Sequence, residues 1–414
     1  MERAREIFCM VDDSGFAARL AASPFHGGDL EARVVQYSGP RDLGQTYRSR
    51  VALAENVKCV TGATVTALDV AESGKIVTGV RFSDLRHRSL RLRARVIVLA
   101  AGGIETPRLL LASGGRERGG LGNDHDVLGR YHMEHPMRSV GTVRLGSAAR
   151  LVRPFTDLTA AGTAALEGTF GLSAERREAD GLLNMHLRAY RYNRLEERSD
   201  IVEAKRAAAS GGHAAVRALD MVRTLGPRGL PAGAVYGAWH FWNKSLAHAW
   251  FDRVRFVAFL EQEPDPQNRI TLSGERDVHG CLLPHLGWRE SRMMTDSVER
   301  SLRAIAAAFE ERGLSEVKMG TEAVAHLQDY GGYGLHHMGA TRMSDDPRTG
   351  VVDASCKVHG VENLYIAGSS VFPTGGAANP TLMISALGLR LGSRLKGTLS
   401  NRADCGIFSS RVSE

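Results

Sequence analysis

The stretch RARVIVLAAGGIETPRLLLAS, residues 93–113, decides the fold. Its first half is a continuous apolar run of strand length, closed by Gly102 and Gly103. Its second half, from Ile104, places apolar residues at helical spacing. Strand, glycine turn and helix in succession let the backbone approach a phosphate or a ring closely, because glycine has no side chain and a helix start offers unpaired N–H groups. The same order returns in VENLYIAGSSVFPTGGAANPTLMISALGLRLGSRL, residues 361–395. Two such crossings far apart in sequence predict an α/β domain built from both ends of the chain, with the middle inserted as a second domain. The expected boundaries are 1–130 and 335–414 for the first domain and 131–334 for the second.

Between these landmarks the signals are local. Residues 41–82 read as a short helix followed by small strands, NVKCV, TVTALDV and KIVTGVRF, the last two turning at Ser73 and Gly74. The middle of the chain mixes alternating strands such as RVRFVAF (253–259) with long polar loops and a basic helix near 202–222. A helix is predicted over 296–312, capped by Asp296, with Val298, Leu302, Ile305 and Phe309 on one face and Gly313 as its stop.

The chain has 414 residues, 43% hydrophobic and 24% charged, which is ordinary for a globular protein and too long for one core. Its net charge of +7 comes from scattered basic residues, not a stripe with aromatics between, so nucleic-acid binding is not expected. The longest apolar run, 96–113, is broken by Glu105, Thr106, Pro107 and Arg108 and cannot span a bilayer. The start, MERAREIFCMVDD, lacks the apolar stretch of a secretory signal, which makes the cytoplasm the expected location. Five dispersed cysteines, Cys9, Cys59, Cys281, Cys356 and Cys405, argue against a disulfide framework. Cys356 and His359 have a ligand-like spacing and could be combined with His336 and His337 as a zinc site. Adjacent histidines on an extended segment point in opposite directions, however, and no metal is expected.

Four segments in order carry a family resemblance: AAGGIETPRLLLAS, LGRYHMEHP (128–136), HHMGATRMSDDPRTGVVD (336–353) and KVHGVENLYIAGSSVFPTGGAANPTLMISALGLRL (357–391). Together they resemble the glucose-methanol-choline oxidoreductases, flavoproteins that oxidise alcohols with FAD. The resemblance implies an FAD-binding doubly wound domain, α/β within an α+β whole, and an inserted substrate-binding domain built on an antiparallel sheet. The family's GxGxxG turn has no counterpart here, since GGRERGGLG (114–122) has the wrong spacing. The FAD-binding domain is therefore expected to be incomplete, to bind FAD poorly alone and to leave an exposed sheet edge. An upstream start, a separate chain supplying the missing part, or a remnant would each account for this.

The resemblance also assigns roles. An alcohol gives up its hydroxyl proton as hydride leaves for flavin N5, and an imidazole is a suitable base near neutral pH. The family's base stands three residues before the glycine of an HxxGT-like motif, which falls on His336 before Gly339. Ala340 stands where Thr is common, with Thr341 next, so His337 remains a competing register. Asn379 in AANPT would hydrogen-bond the developing alkoxide. Val65 would meet the adenine through its backbone, and Gly102, Gly103, Glu105 and Thr106 would lie near the ADP half. Gly368 and Ser369 would face the pyrophosphate, and Asn379, Pro380 and Thr381 the flavin ring at a helix start. His132 and His135 would be structural or wall residues. The polar middle region, including EQEPDPQNRITLS (261–273), suits a sugar-like or aminoglycoside-like alcohol. The competing reading is a truncated or accessory subunit with no turnover of its own.

Overall fold

The computed structural model of the chain describes residues 1–39, 42–114, 119–144, 149–192, 253–314, 318–319, 332–333 and 335–400. The basic helix expected near 202–222 lies outside the described residues. In chain order the elements begin with α1 (Glu2–Ile7), α2 (Ser14–Ala21), β1 (Leu30–Tyr37), α3 (Leu43–Ala52), β2 (Ala63–Val70), β3 (Val77–Asp84), β4 (Ser89–Leu92), β5 (Ile97–Leu99) and α4 (Gly102–Leu111). Next come β6 (Pro136–Arg144), α5 (Ala149–Thr156), β7 (Thr159–Ala161), β8 (Ala164–Leu172), α6 (Ala174–Asp180), β9 (Met185–Tyr192) and β10 (Arg253–Leu260). The chain continues with β11 (Arg269–Arg276), β12 (Leu282–Gly287), α7 (Arg292–Glu311), β13 (Lys318–Met319), β14 (Gly332–Tyr333), β15 (Leu364–Ile366) and α8 (Thr381–Ser400).

The stretch at 93–113 folds as its pattern predicts. β5 pairs in parallel with β15, Ile97 opposite Leu364 and Leu99 opposite Ile366, so the two distant strand-turn-helix passages lie side by side. The carboxyl ends of both strands run into glycines, Gly102 at the start of α4 and Gly368 before a 3-10 turn at Ser369–Val371. Crevices of this kind, outside the carboxyl ends of parallel strands, are where α/β sheets hold ligands. Ile97 and Leu99 are buried with Leu109, Leu110, Leu364 and Ile366 in one apolar cluster, whereas Val98 on the opposite side is 40% exposed. Among the described residues the pair carries no third strand. β2, β3 and β4 form a separate antiparallel sheet, as the two β-branched runs predict, but NVKCV forms no strand.

A second cluster fills the space between the large antiparallel sheet and the helices on one of its faces. That sheet has the order β1-β8-β9-β10-β6-β13, with β7 beside β8 and β14 beside β6. Phe25, Phe155, Phe170 and Phe309 meet with ring centroids 4.9–5.8 Å apart, contacts of about 0.5–1.5 kcal/mol each beyond the area they bury. Here the structure departs from the expected domain division. β1, assigned by sequence to the first domain, pairs along its whole length with β8, and Phe16, Leu20, Phe25 and Leu30 belong to the core of the antiparallel sheet. The physical reason is that LEARVVQY turns apolar and polar side chains to opposite faces and supplies an edge for a sheet half-buried on each side.

α7 also differs from its expected start. Leu302, Ile305 and Phe309 are buried on one face, and the left-handed Gly313 follows the helix end. Yet the helix begins four residues before Asp296, capped by Ser291, whose Oγ accepts the Met294 N–H at 3.0 Å. A serine hydroxyl reaching the third amide satisfies one of the free helix-start donors, and it does so upstream of the competing Asp.

Candidate active site

The two histidine-bearing segments meet as a short antiparallel ribbon. Met133 N–H donates to the Met338 carbonyl at 2.9 Å, and Met338 N–H returns the bond at 3.0 Å. Side chains of an extended pair alternate between faces, so the register fixes which residues meet. His135 and His336 fall opposite each other on one face with Met133 and Met338. Glu134 and His337 fall opposite each other on the other face, with His132 beside them. Gly339 makes the ribbon possible: its φ is +85°, and a Cβ there would stand 2.2 Å from the Tyr131 carbonyl oxygen. The His337 carbonyl accepts the Ser369 hydroxyl at 2.6 Å and lies where a Cβ on Gly103 would collide, so the ribbon rests directly on the start of α4.

On the first face, His135 Nδ1 and His336 Nδ1 are 2.9 Å apart, and His135 Nε2 is 3.3 Å from the Gly375 carbonyl oxygen. A carbonyl only accepts, so a neutral His135 carries its proton on Nε2 and offers a lone pair at Nδ1. His336 must then donate from Nδ1, which leaves its Nε2 unprotonated. Burial, reinforced by His135, lowers His336 to about 4, so the imidazole is neutral at ordinary pH. His135 is likewise lowered by burial, against the pull of the Gly375 carbonyl.

On the second face, Glu134 is buried; one carboxylate oxygen accepts the His336 backbone N–H at 2.9 Å and the other contacts His337 Nδ1. Burial alone would raise Glu134, but its hydrogen bond and attraction to His337 bring it below the usual carboxylate value. Glu134 N–H donates to Gln262 Oε1 at 3.0 Å, and the Trp288 indole donates to the same oxygen at 2.9 Å. His132 stacks on His337 with ring centroids 5.6 Å apart, and burial lowers it to about 4.

Asn379 lies at the end of the loop that carries Gly375. Its Oδ1 accepts from Arg188 Nη2 at 3.3 Å, while Arg188 Nη1 donates to the Tyr37 hydroxyl at 3.0 Å. Tyr37 in turn donates to Glu167. Arg188 is only 6% exposed and lies over the Phe259 ring at 4.4 Å. These residues come from β1, β8, β9 and β10, on the sheet face opposite the aromatic core. That face is therefore buried yet ionic. Burial raises Glu167 above the usual carboxylate range. Glu261 ties the same wall to the loop, accepting from Gly376 N–H at 3.0 Å and Asn184 N–H at 2.8 Å. The His336 segment and the loop leading to Asn379 thus meet through His135, while Arg188 anchors Asn379 to the sheet.

Of the other residues expected at the cofactor, Gly103 lies under the His337 carbonyl, whereas Gly102 and Gly368 follow the carboxyl ends of β5 and β15. Gly102, Gly368 and Gly376 each face open space within 4 Å of where a Cβ would stand, so a flat or extended ligand could run close to the backbone there. Thr106 is buried with its Oγ1 unpartnered, while Glu105 is drawn to Arg108 at 2.5 Å. Val65 is 38% exposed on β2, beside a bulge. Pro380 and Thr381 lead into α8, twenty residues long, whose N-terminus favours negative charge. These features fit an anionic dinucleotide. The zinc combination considered from sequence is not assembled: His359 Nε2 donates to the Ser344 carbonyl at 2.9 Å and Cys356 lies near Arg390.

Glu134, Arg188, Glu167, Tyr37 and Glu261 were not singled out by the sequence reading. A signal exists for some of them: in MHLRAYRY, His186, Arg188 and Tyr190 alternate with apolar residues that are buried, so a polar set shares one face of a core strand.

Comparison with known proteins agrees with this architecture. Two family models, both described as GMC oxidoreductase, one N-terminal and one C-terminal, match residues 37–137 and 264–388. The fructose dehydrogenase large subunit of Gluconobacter japonicus is 28% identical over 337 residues, 80% of this chain and 53% of that protein. Paromamine 6'-oxidase of Streptomyces fradiae is 31% identical over 157 residues, 36% of this chain and 26% of that protein. The crystal structure of pyridoxine 4-oxidase from Mesorbium loti superposes with a TM-score of 0.55 at 15% identity, over 95% of this chain and 69% of that one, and shows the shared fold. The chain spans about half the length of the fructose dehydrogenase subunit that it matches. No helix among the described residues is long and apolar enough to cross a membrane. The two matched domains lead to one conclusion: the chain belongs to the GMC oxidoreductase family.

Proposed function

We propose that the chain oxidises a CH–OH group of a polyol, sugar or aminoglycoside-like alcohol, with His336 as the base. The observation that carries this reading is the unprotonated Nε2 of His336, imposed by the chain of bonds from Gly375 through His135. FAD, when bound, supplies the hydride acceptor, flavin N5. Val65, Gly102, Gly103, Glu105, Thr106, Gly368, Ser369, Asn379, Pro380 and Thr381 are the residues that would hold it.

The alcohol loses two hydrogens, one as hydride and one as a proton. His336 Nε2 takes the proton from the hydroxyl, and its Nδ1–H stays directed at His135, which keeps the ring from turning. Asn379 has its oxygen engaged by Arg188, so the amide NH2 is left to donate to the substrate oxygen as charge develops there. His337 is committed to Glu134 on the other face and takes no part in the proton transfer. The buried ionic wall of Tyr37, Glu167 and Arg188 supports a hydroxyl-rich substrate, since polar groups out of water reward a partner that hydrogen-bonds them. Names of the relatives, fructose dehydrogenase and paromamine 6'-oxidase, point to the same class.

The test is flavin uptake followed by reduction. Full-length chain incubated with FAD is expected to gain absorbance at about 450 nm and to lose it on anaerobic addition of a sugar alcohol. His336→Ala should slow that loss by roughly a hundredfold at unchanged flavin content. An undiminished rate in the variant removes His336 from the mechanism. A chain that stays colourless with added FAD supports the accessory reading instead.

A further inference from the structure

We propose that His132, Glu134 and His337 form a binding site for one divalent cation of the zinc class, on the ribbon face turned away from His336. One donor atom from each of the three residues lies within 4.8 Å of the others. The backbone explains the grouping. His132 and Glu134 are two apart on one extended segment, and His337 is the cross-strand neighbour of Glu134, so all three project from the same side.

An independent observation points to a ligand. His132 is 0% exposed, yet neither of its ring nitrogens has a hydrogen-bond partner. A buried polar atom left without a partner is costly, and the interiors of proteins supply one almost everywhere. Here the unpartnered atoms are both nitrogens of a buried imidazole. His132 Nε2 and Glu134 Oε1 are 3.9 Å apart, close to the separation of two ligands on a common ion with bonds of about 2.0–2.2 Å. A cation held by all three residues would take the place of the direct contact between Glu134 and His337 Nδ1.

The donor set selects the class of ion. Two imidazoles and one carboxylate suit zinc, cobalt or ferrous iron, whereas magnesium and calcium prefer oxygen ligands throughout and cuprous ion prefers sulfur. Three protein ligands leave room for a water. His337, with 26% of its side chain exposed, gives the ion its entry. The surroundings hold the ligands in place: His132 N–H donates to the Asn268 carbonyl at 2.9 Å and Glu134 N–H to Gln262 at 3.0 Å. A bound ion would lock the register that sets His135 against His336. The proposal does not depend on the flavin chemistry and concerns binding alone.

The full-length chain, loaded with Zn2+, dialysed against metal-free buffer and analysed for elements, should retain about one zinc per chain. His132→Ala and Glu134→Gln should each retain at least about tenfold less, and His359→Ala as much as wild type. Because His132→Ala alters a buried site, His337→Ala at the more exposed ligand gives a second reading. With Co2+ alone as the probe, visible d–d bands should appear for wild type and be lost in His337→Ala. A folded wild-type chain, judged by far-UV circular dichroism, that retains less than about 0.1 zinc per chain overturns the proposal. So does retention equal to wild type in the His132, Glu134 and His337 variants.

Discussion

The Nδ1 atoms of His135 and His336 face each other at 2.9 Å, a distance that requires one of the two rings to donate to the other. Because the one ring proton of neutral His135 sits on Nε2, toward the Gly375 carbonyl, the Nδ1–H between the two rings belongs to His336. His135 is then the residue that orients the base. His135→Ala should slow flavin reduction by roughly ten- to a hundredfold without changing flavin content. His135→Asn, whose oxygen can accept from His336, should recover part of the loss. If stopped-flow traces of the two variants match, orientation through this bond is not what His135 provides.

Arg188 should act through Asn379. Arg188→Met frees the amide to turn, and reduction at saturating substrate should fall by about tenfold, with a similar fall in Asn379→Ala. The double variant should be little worse than either single one, since residues in one network are not additive. Fully additive losses in rate would separate the two.

Gly339 is expected to tolerate no side chain. The left-handed φ alone costs an Ala about 1–2 kcal/mol, and overlap with the Tyr131 carbonyl adds to it, so Gly339→Ala should lose roughly 3 kcal/mol or more in urea unfolding. A variant within about 1 kcal/mol of wild type would mean that the ribbon can open there.

His186 should make the fold acid-sensitive. It is buried against Phe259, stacked at 5.0 Å, and burial followed by the Arg188 charge lowers it to about 3 from 6.5. The unfolded chain therefore takes up this proton first. The stability that a neutral His186 contributes is complete above pH 6.5 and is lost as pH falls through 6.5 toward 3. Between about pH 7 and about pH 5 the loss is of order 1–2 kcal/mol. His186→Phe keeps the stacking but cannot titrate, so its melting temperature should fall less over that interval. Parallel melting curves for variant and wild type would assign the acid sensitivity to other groups.

Much of this was legible in the chain because local pattern and tertiary placement agree there. Glycine after an apolar run decided Gly102 and Gly368, and the alternation of an extended segment already separated His336 from His337. Three features were not legible. β1 looks like any alternating stretch, and its place in the antiparallel sheet depends on a partner more than a hundred residues away. Asp296 and Ser291 are both acceptable helix caps, and only packing selects the earlier one. Arg188 and Glu167 look like surface charges until the sheet face that carries them is seen to be covered.

The paired segments at 131–136 and 335–340 also constrain how this loop can change in length. Inserting or deleting one residue between His337 and Gly339 would rotate the strand by half a repeat and exchange the occupants of its two sides. An insertion would set His337 opposite His135, whereas a deletion would set His336 opposite Glu134. Viable length variants of this turn should therefore come in steps of two, a parity rule that a library of random loop insertions would reveal.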